Sequence, residues 1–573
     1  MYPRIIKRKN KDGSEVKYAQ LCENKWNREK KRSEVKIIYN LGRIDRIDYE
    51  RIVRAIKSLE TFLPEKDRRY TKEENLPISA KQFGMLYLLE EVWKSLSIDK
   101  TIKALLRKRR YSLPVERVIL SEVMNRAILP HSKKGTYEWI EEDTYFKGKE
   151  KISLQHMYRA MDFLIRNKDE IENDVYLLVS NLFNREPFIV FYDTTTTYFE
   201  IDREDHLRKR GHSKDKRFDK PQIVLAVAIN RDGYPIKHWV FPGNTAEKTK
   251  IQFVMKEVRK IKGLLFRGNE NKNDSIPLIW ISDNGMMKRT AIQYLEENNE
   301  KYIIAGSLKT RIGEELLEEE KDSKEGNENK SKEETEEHSM CYRTITLWNG
   351  KKLLVRERVI DNRRYILCYS KEQEEKDRKA REEIIECIRE KMKGIKNKID
   401  TKKILSLYTH RMYGKYLIKN KETKEIEINE TRIEYDAKRD GKFLLVTNDL
   451  TSDAKDIVSG YKSLYTVERA FETMKSVLDL RPVCHSREDR IKAHAFLCIL
   501  AYLLVHHIEV KTNSTYGRVK EEIEKLSAVE YKTREGITII QRTQLTNKQR
   551  EIFNKLKIKT PPMYLYIGSE ENK

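Results

Sequence analysis

The sequence predicts an α/β protein, a mixed sheet flanked by helices that follows a mainly helical region. Three observations lead there. Residues 80–185 carry apolar residues at helical spacing, in FGMLYLLEEVWKSL, VERVILSEVMNRAIL and HMYRAMDFLIRN. From Pro187 the pattern changes to short, continuous apolar runs, which suit buried strands, alternating with helical segments. A polar, low-complexity stretch at 311–340 then separates this block from further strand and helix patterns.

In order, residues 1–65 read as a small, basic, β-rich segment plus a helix. Asp12-Gly13, between RIIKRKNK and EVKYAQLC, is a hairpin signal, EVKIIYNLG ends at Gly42, and the helix falls near Tyr49–Phe62. Residues 75–185 form the helical region. Residues 186–310 carry strands FIVFYD, QIVLAVAIN and IKHWVFPG, with Asp232-Gly233 as a turn. A helix at Glu247–Ile261, strand PLIWISD, helix MKRTAIQYLEENN and strand KYIIAGS follow. The first three strands suit a meander and the later ones parallel additions. Residues 311–449 open with a mobile acidic and polar connection at 311–340. Strand-like segments at 341–370 and 415–449 then flank a charged helix at 371–396. Residues 450–512 hold one long helix, Asp453–Leu480, and after Pro482 an apolar helix, Asp489–Val510. Residues 513–573 read as a peripheral tail.

Lys and Arg outnumber Asp and Glu by 116 to 92, a formal charge of +24 over 573 residues. Such an excess favours polyanions, because each cation that neutralises a phosphate releases a counterion. Clusters such as Arg107-Lys108-Arg109-Arg110 and Lys133-Lys134, between helices, suit DNA contact. The six cysteines form no C-x-x-C pair, so neither a disulfide framework nor a zinc ribbon is indicated and a reducing compartment is the simplest home. Cys484, His485, His494 and Cys498 lie in strongly apolar surroundings and read as buried rather than as zinc ligands. MYPRIIKRKNKDG lacks the apolar run of a secretory signal, and Ala495–Val505 is too short for a membrane span. No Gly-rich phosphate loop appears, so ATP is not expected.

Two predicted strands end in Asp193 and Asp283. If parallel neighbours, they place both carboxylates at one sheet edge, where ligands of such sheets gather. Thr194–Thr197 after the first reads as a polar loop shaping the site. A third ligand is best supplied by YKSLYTVERAFETMK. On a continuous helix, Leu464, Val467, Phe471, Met474 and Leu478 make an apolar stripe, and Tyr461, Glu468 and Lys475 line one border. Glu472 is a rival farther toward solvent.

FYDTTTTYFE, ISDNGM and Tyr461-x2-Leu464-x3-Glu468-x6-Lys475, in that order, resemble the DDE transposases of bacterial insertion sequences. Within them the chain is similar to the group with Y-x2-R-x3-E-x6-K around the third acid. It fits the branch with DGKFLLVTND before that motif and LRPVCHSREDRIKAHAFLCILAYLL after it. NLGRID and SKDKRFDKPQIVLAVAINRDGYPIKHWVFPGNT fit the same branch, so the resemblance spans about residues 1–510. It implies an RNase H-like core, in two parts at 186–310 and 450–512, with a mostly β insertion between them. It implies that Asp193, Asp283 and Glu468 are catalytic and hold two Mg²⁺ ions, Mn²⁺ substituting. It implies DNA contacts at Tyr461 and Lys475. Arg469 beside the third acid, with Arg109 and Arg110 of the helical region, completes the expected DNA-binding set. The motif's Arg is Leu464 here, an apolar residue expected in the core. The activity implied is cleavage at terminal inverted repeats of double-stranded DNA and joining of the 3′-OH to target DNA. A homodimer would hold the two ends, in a bacterial cytoplasm and on the nucleoid, without a membrane. Two alternatives stay open: a metal-dependent nuclease that cuts without joining, and a DNA-binding regulator derived from such an enzyme.

Overall fold

The protein is described here from a computed structural model. The structure describes residues 2–9, 15–27, 32–44, 77–107, 114–181, 189–246, 249–265, 278–283, 287, 289–325, 342–347, 350–393, 395, 402–533 and 537–569. The Asp12-Gly13 turn, the helix expected near Tyr49–Phe62, and the expected DNA-contact residues Arg109 and Arg110 lie outside them.

The chain divides into two compact units. The first comprises residues 1–88, 140–147 and 517–573. Its N-terminal part is a three-stranded antiparallel sheet of β1 (Tyr2–Lys9), β2 (Glu15–Asn27) and β3 (Arg32–Arg43). The segment read as a tail is folded. Strands Ser527–Lys532, Ile537–Arg542 and Tyr564–Ser569 join β4 (Pro77–Gln82) in a four-stranded sheet. Helix Asn547–Lys555 beside them opens on a capping box at Thr546 and Gln549.

The second unit, residues 89–139 and 148–516, contains the expected site. Its helical part and its sheet share one central helix, Glu488–Thr512, which packs against helices Val115–Ile128 and Leu154–Arg166. That central helix is long and apolar enough to cross a membrane, yet 83% of its most apolar window is buried, as in a core helix. Helix Val115–Ile128 is buried at every position but Arg117 and belongs to the core. Glu122 inside it pairs at 3.0 Å with Lys133, both shielded from solvent.

The sheet has nine strands: β5 (Ile189–Tyr198), β6 (Gln222–Asn230), β7 (Pro235–Pro242), β8 (Ile279–Ser282), β9 (Lys301–Gly306), β10 (Arg343–Thr346), β11 (Lys352–Ile360), β12 (Arg363–Tyr369) and, after the small hairpin β13 (Leu417–Lys419) and β14 (Ile426–Ile428), β15 (Lys442–Thr447). Their order is β10-β11-β12-β15-β9-β8-β5-β6-β7. β5 to β7 form the meander, β8 and β9 add in parallel to β5, and the remaining pairs are antiparallel. The segment expected as a mostly β insertion is mixed, and its longer strands extend the core sheet. Helices Lys371–Lys393, Lys402–Thr409 and Glu430–Ala437 pack beside β13 and β14. Residues 311–325, expected as part of a mobile connection, are helical. Leu316 and Leu317 are buried there against Leu367 and Leu444 of the sheet, so an apolar stripe holds an otherwise polar helix.

The helix expected at Asp453–Leu480 is two, Ala454–Lys462 and Tyr465–Ser476. Ser463 donates to the Ser459 and Gly460 carbonyls, while Thr466 and Val467 bond back only three residues, to Ser463 and Leu464. This tight turn changes the direction of the chain. Leu464 therefore sits half-buried at the helix junction, whereas Val467, Phe471, Met474 and Leu478 are buried as the stripe requires.

Candidate active site

β5 does not stop at Asp193. The four threonines continue it, paired residue by residue with Ala226 to Ile223 of β6, and all four are buried. β-Branched side chains fit a pleated, enclosed strand, so the run is strand and not loop. β8 is shorter. Its parallel register pairs Ile189 with Ile279 and Phe191 with Ile281, and it ends at Ser282. Continuing that register sets Asp283 beside Asp193 on the neighbouring strand. Among the described residues, β5 beyond this point is paired with β6 on one side only, and in such sheets ligands gather beyond the carboxyl ends of the strands.

Successive side chains alternate between faces. Tyr192 and Trp280 enter the core formed with helix Ile251–Leu265. Asp193, Ile281 and Asp283 therefore share the opposite face. Helix Ala454–Lys462 covers that face, with Gly460 against Ile281 and Ile303, and helix Tyr465–Ser476 packs on β5. The cover is pinned by Asp449, just after β15. It accepts from Lys301 Nζ of β9 at 2.9 Å, from the Thr451 hydroxyl and backbone, and from Ser452. Although burial pulls the other way, these donors hold the Asp449 carboxyl well below the usual carboxylate range.

Tyr461 lies at the end of the covering helix. Its phenol is pushed up to about 12, first by burial, then by the charges of Asp283 and Glu468. The charges of a strand-end carboxylate and of a helix carboxylate are thus both felt at one phenol. Phe443 of β15 stacks on the Tyr461 ring, with 6.4 Å between centroids.

The remaining expected residues are placed as follows. Lys475 pairs at 2.9 Å with Asp215, a residue of the connection between β5 and β6. Arg469 pairs with Glu509 at 3.5 Å and lines a cavity of about 420 Å³ with Arg231, Thr466, Tyr502 and His506. His494 Nε2 bonds to the Leu480 carbonyl at 3.1 Å, its neighbour Cys498 is buried, and Cys484 is exposed.

Sequence reading missed Lys214, Asp215 and Arg481. Lys214 Nζ donates to the Thr194 carbonyl at 2.6 Å and to Asp193 Oδ1 at 3.3 Å. Asp215 receives Arg481 at 3.0 Å as well as Lys475. The signal was SKDKRFDK, a stretch of alternating charge directly before β6.

An all-oxygen set of three carboxylates suits a hard divalent cation. Among the described residues no three His, Cys, Asp or Glu side chains are gathered closely enough to hold an ion. The donor chemistry and the sheet face shared by Asp193 and Asp283 fit such an ion, and Asp193 is paired with Lys214.

Residues 189–504, which span β5, β8 and both covering helices, match the family model of the transposase DDE domain. The chain belongs to the DDE transposases. Residues 3–73 match the model of the IS1634 family transposase N-terminal domain, in keeping with a transposase of an insertion sequence. No curated relative matches the chain. For a DDE transposase the coarse expectation is metal-dependent chemistry on DNA, and the mixed α/β architecture around β5 and β8 agrees with an RNase H-like core.

Proposed function

We propose that this transposase cuts DNA at the terminal inverted repeats of its own element and joins the freed 3′-OH to target DNA. The observation that carries the reading is the register of β5 and β8, which sets Asp193 beside Asp283 on the face covered by the Glu468 helix. Asp193, Asp283 and Glu468 would hold two divalent ions, Mg²⁺ or Mn²⁺. Bound there, such ions would lower the pKa of water and offset charge on the oxygens of a phosphodiester displacement. The chain itself orients. β5 would hold Asp193, the residue after β8 would present Asp283, and Lys475 would take a phosphate of the strand end. The same arrangement serves the second displacement, in which the 3′-OH replaces water as nucleophile. Synapsis of two ends calls for a homodimer on double-stranded DNA, in the cytoplasm and on the nucleoid, with no ATP.

The test uses labelled duplexes of the DNA flanking the gene, with Mg²⁺, and precleaved ends mixed with plasmid. Wild type is expected to nick the duplex and to produce strand-transfer products. Asp193→Asn, Asp283→Asn and Glu468→Gln are each expected to lose both activities and keep end binding. Cleavage without joining would identify a nuclease instead, and full cleavage by any of the three variants would sink the assignment.

A further inference from the structure

Two cations converge on one buried carboxylate beside the proposed site. Lys475 Nζ lies 2.9 Å from Asp215 Oδ1, and a guanidinium nitrogen of Arg481 lies 3.0 Å from Oδ2. Asp215 keeps only 12% of its side-chain surface, Lys475 19% and Arg481 33%. The cations come from helix Tyr465–Ser476 and from the turn that follows it, so one short segment of chain builds a seat for a single anion. Arg481 is further braced over the Tyr198 ring at 5.3 Å.

The occupant of that seat comes from a connection held in place at several points. Gln222, fully buried, donates to the His212 and Gly243 carbonyls. Lys209 and Gln222 exchange both backbone bonds. Gly211 abuts the backbone of Gly243 so closely that a Cβ there would sit 2.2 Å from the Gly243 oxygen. Lys214, one residue before Asp215, is anchored to Thr194 and Asp193. Asp215 is thus delivered to the two cations by a fixed turn.

A carboxylate with a basic residue at each oxygen has the charge and the spread of acceptors of a phosphate diester. We propose that Lys475 and Arg481 together form a DNA phosphate seat and that Asp215 fills the seat until DNA displaces it. The position of this seat relative to cleavage rests on the function proposed above, but its binding of DNA does not. Arg481 is suited to the role, since its planar fork engages two phosphate oxygens at once.

The experiment is fluorescence anisotropy of the full chain with a fluorescein-labelled duplex of the flanking DNA, in EDTA, over a range of salt. Asp215→Asn keeps the turn's shape and removes the competing charge. It is expected to tighten binding by about tenfold. Arg481→Gln is expected to weaken binding and to reduce the slope of log K against log salt by about one, the loss of one phosphate contact. Arg481→Lys is expected to restore the slope. An unchanged slope in Arg481→Gln, or unchanged or weaker binding by Asp215→Asn at an unchanged melting temperature, overturns the proposal. The metal-free assay keeps the two readings separable: loss of strand transfer in wild type would defeat the proposed function while leaving these binding results to stand.

Discussion

At the proposed site, Lys214 is the group that a metal would have to displace from Asp193. Its ammonium lies 3.3 Å from Asp193 Oδ1, with side-chain exposures of 33% and 23%. At that separation an effective dielectric of ~20 gives an attraction of ~5 kcal/mol. Solvent screening and the rotamer entropy of lysine reduce pairs of this exposure to ~1 kcal/mol. Lys214→Met removes the competitor without adding a charge. The affinity of the full protein for Mn²⁺ is then expected to rise about fivefold, the equivalent of ~1 kcal/mol. Titration followed by the electron paramagnetic resonance of free Mn²⁺ reads this without any turnover. Lys214→Arg should stay near wild type, and Asp193→Asn should lose the tighter site. Mn²⁺ binding that is unchanged or weaker in Lys214→Met would show that the ammonium does not compete at Asp193.

Two further outcomes follow from the packing. Gly460 has room for a methyl group, since a Cβ there meets only Ile281 Cδ1 at 3.4 Å and Ile303 Cδ1 at 3.5 Å. Gly460→Ala is expected to raise stability by up to ~1 kcal/mol through helix propensity. Gly460→Leu is expected to lift the helix from the sheet and cut strand cleavage at least tenfold; full cleavage by the Leu variant would count against the placement of Glu468. Burial pushes His507 down to about 4, and its Nδ1 lies within hydrogen-bond distance, 3.1 Å, of the Tyr234 hydroxyl. Between pH ~6.5 and that value the unfolded chain binds a proton that the folded chain refuses. Its contribution is therefore complete above pH ~6.5 and is lost as pH falls toward 4, by at most ~1.4 kcal/mol per unit. Urea midpoints at about pH 7.5 and pH 5 should differ in that direction and differ less in His507→Gln; equal differences in the two proteins would refute it.

The parts legible in the sequence were those whose signal is local. FIVFYD, QIVLAVAIN, PLIWISD and KYIIAGS are strands because continuous apolar runs have to be enclosed on both faces, and they bring Asp193 and Asp283 together through a parallel register. The threonine run misled, because four hydroxyl residues after a carboxylate resemble a loop although β-branching favours strand. The helix break at Ser463 and Leu464 was hidden, since the apolar stripe resumes in phase beyond it. The helix at 311–325 was masked by its charge, only a few apolar residues marking the face that meets the sheet. The ion pairs of Lys214 and Asp215 are contacts across 21 and 260 positions, which no window along the chain contains.

The 185 positions between Asp283 and Glu468 raise the question of what would position the proposed third acid relative to the first two. DGKFLLVTND answers it. β15 enters the sheet between β9 and β12, with Leu445 opposite Ala305 on one side and Ile366 on the other. That register brings Asp449 to Lys301, and Asp449 in turn fixes the Thr451 and Ser452 turn from which the covering helix starts. A one-residue slip of β15 would exchange its two faces and carry Asp449 away from Lys301, because side chains alternate along a strand. The helix would then start in the wrong place, with Gly460 off Ile281. The strands β10 to β12 and β15 are therefore part of the machinery that sets the third acid: they fix a register, and the register positions the helix.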